Sequence, residues 1–235
     1  MEIVGAEPPT SDRIRDRHDR LLARLRAMAA ANGHDPAGLR IVGITKTWPA
    51  EVARAAFEAG IGRLGESRVQ EAEPKVAAVP EAEWHFVGRL QANKARRAVR
   101  AFAVIHSVDS PALLRRLREH AAEEGRTPSL LLQVNVTGDA AKAGLTPAET
   151  LDAELVAEVR DGGVIGLMTI APMGAGTDEA RHAFGSLREL RDRLQDAAGV
   201  ALAELSMGMS ADADAAAAEG ATLVRIGTAL FGPRP

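Results

Sequence analysis

Short apolar runs alternate along this chain with longer stretches in which hydrophobic and charged positions mix. The runs fall near residues 40–45, 62–65, 83–87, 102–107, 129–136, 163–169, 202–206 and 222–227. Each has the length of a buried strand. Between them lie alanine-, arginine- and glutamate-rich segments suited to helices, near 49–59, 67–78, 92–100, 110–124, 147–160, 177–197 and 211–219. One more helix precedes the series. Ser11 or Asp12 is placed to cap it, Ile14, Leu21, Leu22, Leu25 and Met28 form one stripe, and Asn32-Gly33 ends it. Strands separated by helices in this way demand parallel pairing through right-handed crossovers. A doubly wound dinucleotide-binding sheet would need a glycine-rich turn after its first strand, and Gly43-Ile44-Thr45-Lys46 is not one. The pattern therefore predicts an α/β fold: a single-domain (β/α)8 TIM barrel with an additional N-terminal helix, over residues 11–235, behind a flexible lead-in at residues 1–10.

Composition narrows the chemistry. With 46% hydrophobic and 26% charged residues, the 235 residues can bury one large core. The net charge of -3, with acidic and basic residues well mixed, provides no electrostatic footprint for nucleic acid. Arg96, Arg97 and Arg100 cluster at helical spacing and read as a solvated face. The absence of cysteine removes disulfides, zinc–thiolate sites and thiol catalysis, and the absence of tyrosine removes phenol acid–base chemistry. No secretory signal or membrane-length apolar stretch is present, so the cytoplasm is the expected compartment.

Against that background Lys46 stands out. Alternation along Ile41 to Lys46 puts Val42, Ile44 and Lys46 on one face, with the amine where the strand leaves the core. Such a lysine either reaches for solvent or forms a Schiff base with a carbonyl cofactor, since partial burial lowers its pKa from about 10.4. Barrel closure would make its neighbour the last strand, where Leu223, Arg225 and Gly227 share one face and Val224 and Ile226 the other. An arginine in an apolar strand needs acceptors: a barrel carboxylate or a ligand. Gly227-Thr228 and the turn Ser206-Met207-Gly208-Met209-Ser210 follow the eighth and seventh strands, where barrel enzymes commonly bind phosphate. A lysine, an arginine and a phosphate cradle together suggest pyridoxal 5′-phosphate. An arginine facing the pyridine nitrogen leaves that nitrogen largely unprotonated, a weaker electron sink than an aspartate partner provides. Ser67, His85, Asn135 and Met168 add side chains at other strand ends, with His85 alternatively a satisfied core histidine. No grouping has metal-ligand spacing.

These segments, in this order, resemble the pyridoxal-phosphate homeostasis protein family, a single barrel similar to the N-terminal domain of alanine racemase. The resemblance runs over residues 12–232. It rests on Ile44-Thr45-Lys46-Thr47, Gly65-Glu66 with Val69-Gln70-Glu71, and Trp84-His85-Phe86-Val87-Gly88 with Leu90-Gln91 and Asn93-Lys94. It continues through Gln133-Val134-Asn135, Lys142 with Gly144, Gly166-Leu167-Met168, Leu205 to Ser210, and Val224 to Thr228 with Phe231-Gly232. The resemblance implies that Lys46 carries the cofactor as an internal aldimine. It also implies phosphate contacts from Ser206, Met207, Gly208, Gly227 and Thr228, with Arg225 at the ring nitrogen. One departure is Ser67, where the family usually has asparagine near the cofactor; Ala171 stands where proline is common.

The expected function is intracellular pyridoxal phosphate (vitamin B6) homeostasis, with the cofactor held and no robust catalysis. The expected protein is a monomer, with PLP-dependent apoenzymes as candidate partners. The alternative is an amino-acid racemase of alanine racemase type. Two-base racemisation needs an acid on the opposite face, supplied in alanine racemase by a tyrosine of the partner chain's second domain, and this chain has no tyrosine. A lysine-dependent barrel aldolase would need an acid–base relay that the sequence does not display.

Overall fold

The computed structural model describes residues 8–139, 142–172 and 174–233. Residues 1–7 of the expected lead-in and the final two residues of the expected barrel domain lie outside the described residues. Helix α1 (Ser11–Ala31) carries the anticipated stripe, with Ile14, Leu21 and Leu25 buried and Leu22 and Met28 packed against the core. Its cap is Thr10, one residue ahead of the expected position. Thr10 takes the extended conformation a cap needs, and its side chain accepts the Arg13 N–H at 3.5 Å.

Strands β1 (Arg40–Ile44), β2 (Arg63–Glu66), β3 (Glu83–Phe86), β4 (Val104–Val108), β5 (Ser129–Gln133), β6 (Val164–Met168), β7 (Glu204–Ser206) and β8 (Leu223–Ile226) close into one parallel barrel in chain order. The closing pair runs from Arg40 opposite Leu223 to Gly43 opposite Ile226, with Val42 opposite Arg225. Around the barrel lie α2 (Ala50–Glu58), α3 (Val69–Ala78), α4 (Ala95–Ala101), α5 (Pro111–Glu123), α6 (Pro147–Thr150), α7 (Ala153–Arg160), α8 (Thr177–Ala198), α9 (Ala213–Ala218) and α10 (Thr228–Phe231). The helix expected over 147–160 is therefore two. Asp152 interrupts it because its carboxylate accepts the Glu154 N–H at 2.9 Å and starts α7 afresh.

The main core lies between strands and helices. Ile41, Leu64, Trp84, Ile105, Leu132, Leu205, Val224 and Ile226 face outward into it. Inside the barrel the packing divides into two small apolar groups, Val42 with Ile44 and Leu223, and Val104 with Leu131 and Met168. Gly65 makes room for the first: a Cβ there would fall 2.6 Å from Ile44 Cδ1 and 3.0 Å from Val42 Cγ1. The other buried positions that reach inward are polar: His85, His106, Gln133, Ser206 and Arg225. On the outer surface the arginine cluster is spent on ion pairs. Arg96 and Arg100 bond Glu124 at 2.8 and 2.7 Å, and Arg97 bonds Glu73. Among the described residues no helix is long and apolar enough to cross a membrane.

Gly166 pairs with Glu204 on β7, and a Cβ at Gly166 would lie 1.9 Å from the Glu204 carbonyl oxygen. Backbone cannot yield as a flexible side chain does, so Gly166→Ala is expected to cost roughly 1–3 kcal/mol, read as a lower midpoint in urea unfolding.

Candidate functional site at the barrel mouth

Lys46 follows β1 by two residues and is half-buried. The turn that carries it is braced from below. Thr45, wholly buried, donates its hydroxyl to Glu66 Oε1 at 2.6 Å. Lys75 on α3 donates to the same oxygen at 2.7 Å, to the Thr45 carbonyl at 2.9 Å and to Glu71 at 3.2 Å. Glu71 in turn accepts the Thr47 N–H. The residues on both sides of Lys46 are thus tied to one buried cluster. Thr47 has φ of 69°, in the left-handed region that a β-branched residue rarely occupies. Such a conformation costs on the order of 1–3 kcal/mol and persists only where its surroundings over-determine it. Burial raises the Glu66 carboxyl above its ordinary range, and Lys75 and Thr45 offset this only in part.

Across the β1–β8 seam lies Arg225, only 5% exposed. Its guanidinium donates to Ser206 Oγ at 2.7 Å and to the Thr169 carbonyl at 2.9 Å, so it spans the ends of β7 and β6. These acceptors are a hydroxyl and a backbone carbonyl rather than the barrel carboxylate or ligand expected from the sequence. Burial lowers the Arg225 pKa to about 10, which leaves it charged at neutral pH, and nearby Asp212 favours that charge. Gly227 comes close to β1, its Cβ position being 3.5 Å from the Ile44 carbonyl oxygen. At the cap of α10 it offers no side chain to the first-turn amides. Gly208 has φ of 87°, and a Cβ there would lie 2.4 Å from that of Ala216. The two turns meet where Ala229 N–H donates to Ser210 Oγ at 3.3 Å.

Several expected site residues have other partners. Ser206 is fully buried and its hydroxyl lies between Arg225 and His106, turned to the barrel interior rather than presented to the turn that follows. His85 does not line the mouth. Alternation sends it into the barrel, where Nδ1 pairs with His106 Nε2 at 2.8 Å and Nε2 with Glu83 at 2.9 Å, the arrangement of a satisfied core histidine. Asn135 spends its amide on its own loop. Nδ2 donates to the Asp139 carbonyl at 2.8 Å and Oδ1 accepts from Thr137 at 3.1 Å. It still forms part of the wall of a mouth cavity of about 320 Å³, with Val87, Arg89, Gln133, Lys142 and Ile170. Met168 is buried inside the barrel at the end of β6. Ser67 packs its backbone on Gly88, whose Cβ would lie 2.1 Å from the Ser67 carbonyl oxygen. Lys75 and His106 are not singled out by the sequence, and Glu71 and Ser210 enter there only as parts of longer motifs. A polar residue on an inward strand position flags His106, whereas nothing local flags Lys75.

The donor set fits pyridoxal phosphate on chemical grounds: an amine for the aldehyde, a buried cation for the ring nitrogen, and a turn of glycine, serine and threonine for the phosphate. Comparison with known proteins bears on this. Residues 19–235 match the family described as alanine racemase, N-terminal domain. The pyridoxal phosphate homeostasis protein of Synechocystis sp. is 42% identical over 203 residues, 85% of this chain and 93% of that protein. That of Aquifex aeolicus is 40% identical over 222 residues, 93% of this chain and 97% of that protein. The chain belongs to the pyridoxal phosphate homeostasis protein family. Among solved structures, PipY of Synechococcus elongatus is 42% identical and covers 89% of this chain and 99% of its own. The TM-score is 0.79 for PipY without PLP and 0.76 for PipY with PLP bound. In this member of the family, Lys46 follows β1, Gly208 follows β7 and Gly227 follows β8, and the Arg225 N–H donates to the Gly208 carbonyl at 3.0 Å.

Two outcomes follow from this geometry. Removing one partner of the buried Glu66–Lys75 pair leaves the other unpaired, so Lys75→Met is expected to destabilise by about 3–5 kcal/mol in chemical unfolding. The second concerns acid. Burial drives His85 and His106 below the ordinary histidine value of about 6.5, most strongly for His106. Below that pH the unfolded chain takes up protons that the folded chain does not. Stability should therefore be level above about pH 6.5 and decline as pH falls toward the folded-state values, with a shallower decline in His106→Asn.

Proposed function

We propose that this chain binds pyridoxal 5′-phosphate, through a Schiff base on Lys46, and serves pyridoxal phosphate homeostasis as a carrier with no robust catalysis. The observation that carries the reading is the β1–β8 register. It sets Val42 opposite Arg225 and so brings the Lys46 turn, the buried guanidinium and Gly227-Thr228 to one side of the mouth. The names of the relatives and the PLP-bound state of PipY support it.

When bound, the cofactor supplies an aldehyde that condenses with an amine and an aromatic ring that accepts electrons. This chain's residues do the rest. The braced turn holds the Lys46 amine at the mouth. Arg225 would donate a hydrogen bond to the ring nitrogen while keeping its own proton, its pKa of about 10 leaving that nitrogen largely unprotonated. The Gly208 and Gly227 turns, with Met207, Thr228 and Ser210, receive the phosphate. Ser206 would act through Arg225, Ser67 would border the ring, and Met168 would close the interior beneath it. Racemisation would require a second acid on the far face. The chain lacks tyrosine, and both ring nitrogens of His85 and of His106 are engaged inside the barrel. We place the protein in the cytoplasm, as a monomer that exchanges cofactor with PLP-dependent apoenzymes.

Visible spectra of the wild type and Lys46→Ala, before and after borohydride, test the assignment. The wild type should gain a cofactor band that borohydride bleaches, and the variant should lack it. An unchanged band in the variant would move the linkage to Lys94 or Lys142. Turnover of D- or L-alanine at ordinary enzymatic rates, 1 s⁻¹ or about that and above, would overturn the carrier reading.

A further inference from the structure

Barrel interiors are usually filled by branched apolar side chains. Here a continuous polar chain crosses the interior instead. From Arg225 it runs to Ser206 Oγ at 2.7 Å, then to His106 Nδ1 at 2.7 Å. From His106 Nε2 it reaches His85 Nδ1 at 2.8 Å, and from His85 Nε2 it reaches Glu83 Oε1 at 2.9 Å. Arg225 is the next-to-last residue of β8, near the mouth, whereas Glu83 opens β3 at the opposite end of the barrel.

The two ends fix the direction of every bond between them. A guanidinium only donates, and an ionised carboxylate only accepts. Glu83 therefore requires a proton on His85 Nε2, which leaves Nδ1 of that neutral ring as an acceptor. His106 must then donate from Nε2 and accept at Nδ1, and the Ser206 hydroxyl must donate to it. The Ser206 lone pairs are left to face Arg225. The reverse order would set a bare His85 Nε2 against the carboxylate and point two donors at Ser206. The burial of both rings, which disfavours their charged forms, agrees with this assignment.

We propose that Glu83, His85 and His106 are positioning residues: through Ser206 they fix the plane and direction in which Arg225 presents its guanidinium to the cofactor site. The barrel floor thereby sets how the ring nitrogen is met at the mouth. With Ser206 and the Thr169 carbonyl both holding it, the planar guanidinium has two anchors and one defined orientation. This inference rests on the functional reading above, specifically on Arg225 meeting the ring.

Two measurements test it separately. Nitrogen-15 NMR of the cofactor-free wild type should find His85 and His106 as Nε2–H tautomers at neutral pH. An Nδ1–H or doubly protonated ring would overturn the chain, whatever the protein does with cofactor. The second measurement is the absorption band and affinity of added pyridoxal phosphate in Glu83→Gln and Arg63→Gln. Arg63 pairs with the same carboxylate at 3.0 Å but stands outside the chain. Glu83→Gln should shift the band and weaken binding by about threefold to tenfold, the worth of one ordered hydrogen bond, while Arg63→Gln should match the wild type. Equal band and affinity in all three proteins would overturn the coupling. If Glu83→Gln fails to fold, His106→Asn, which keeps an acceptor near the Nδ1 position, should bind more tightly than His106→Leu; equal binding by the two would overturn it. A wild type that takes up no pyridoxal phosphate overturns the functional reading instead, and the tautomers distinguish that failure from failure of the chain.

Discussion

Pairing between β1 and β8 is the constraint on which the site depends. An open sheet would leave both strands with unpaired backbone groups and would separate Lys46 from Arg225 by the width of eight strands. Closure satisfies the edges and sets the register that puts Arg225 opposite Val42. Closure also needs small residues where side chains converge. Gly65 yields the interior to Val42 and Ile44, and Gly166 lets β6 lie against the Glu204 carbonyl of β7. The site is thus a by-product of the same hydrogen bonds that complete the fold.

Two polar networks run from the interior to a more exposed carboxylate, Glu71 in one and Glu83 in the other. One joins Thr45, Glu66, Lys75 and Glu71 beneath the Lys46 turn, and it holds a threonine in a left-handed conformation beside the candidate nucleophile. The other runs from Arg225 through Ser206 and two histidines to Glu83. Within them Thr45, Glu66, Lys75, His85, His106, Ser206 and Arg225 are buried. The first underlies the turn that carries Lys46, and the second ends on the Arg225 guanidinium.

Much of the fold was legible because helix and strand periods differ and recur. The eight strands and the crossover helices follow directly from the alternation of apolar runs with amphipathic segments. Local competition explains the misses. Asp152 prefers the α7 amide to a continuous helix, and Thr10 reaches the first turn of α1 before Ser11 can. At the site, Lys46, Arg225, Gly208 and Gly227 were legible because each breaks the rule of its own segment: a charge at a strand end, a charge within a strand, or glycines at turns.

Sequence alone determined the repeating βα order, the absence of thiol and phenol chemistry, and the candidate lysine, because these depend on residue type and spacing. Tertiary structure alone decided what His85, Asn135 and Ser206 do. Each has polar atoms that suit a ligand and equally suit a neighbour, and the choice falls to whichever partner the fold brings within hydrogen-bond reach. For His85 and Ser206 that partner is His106, which lies 21 residues from the first and 100 from the second. No local pattern encodes a contact over such separations; it arises only when the barrel closes and its interior has to be satisfied.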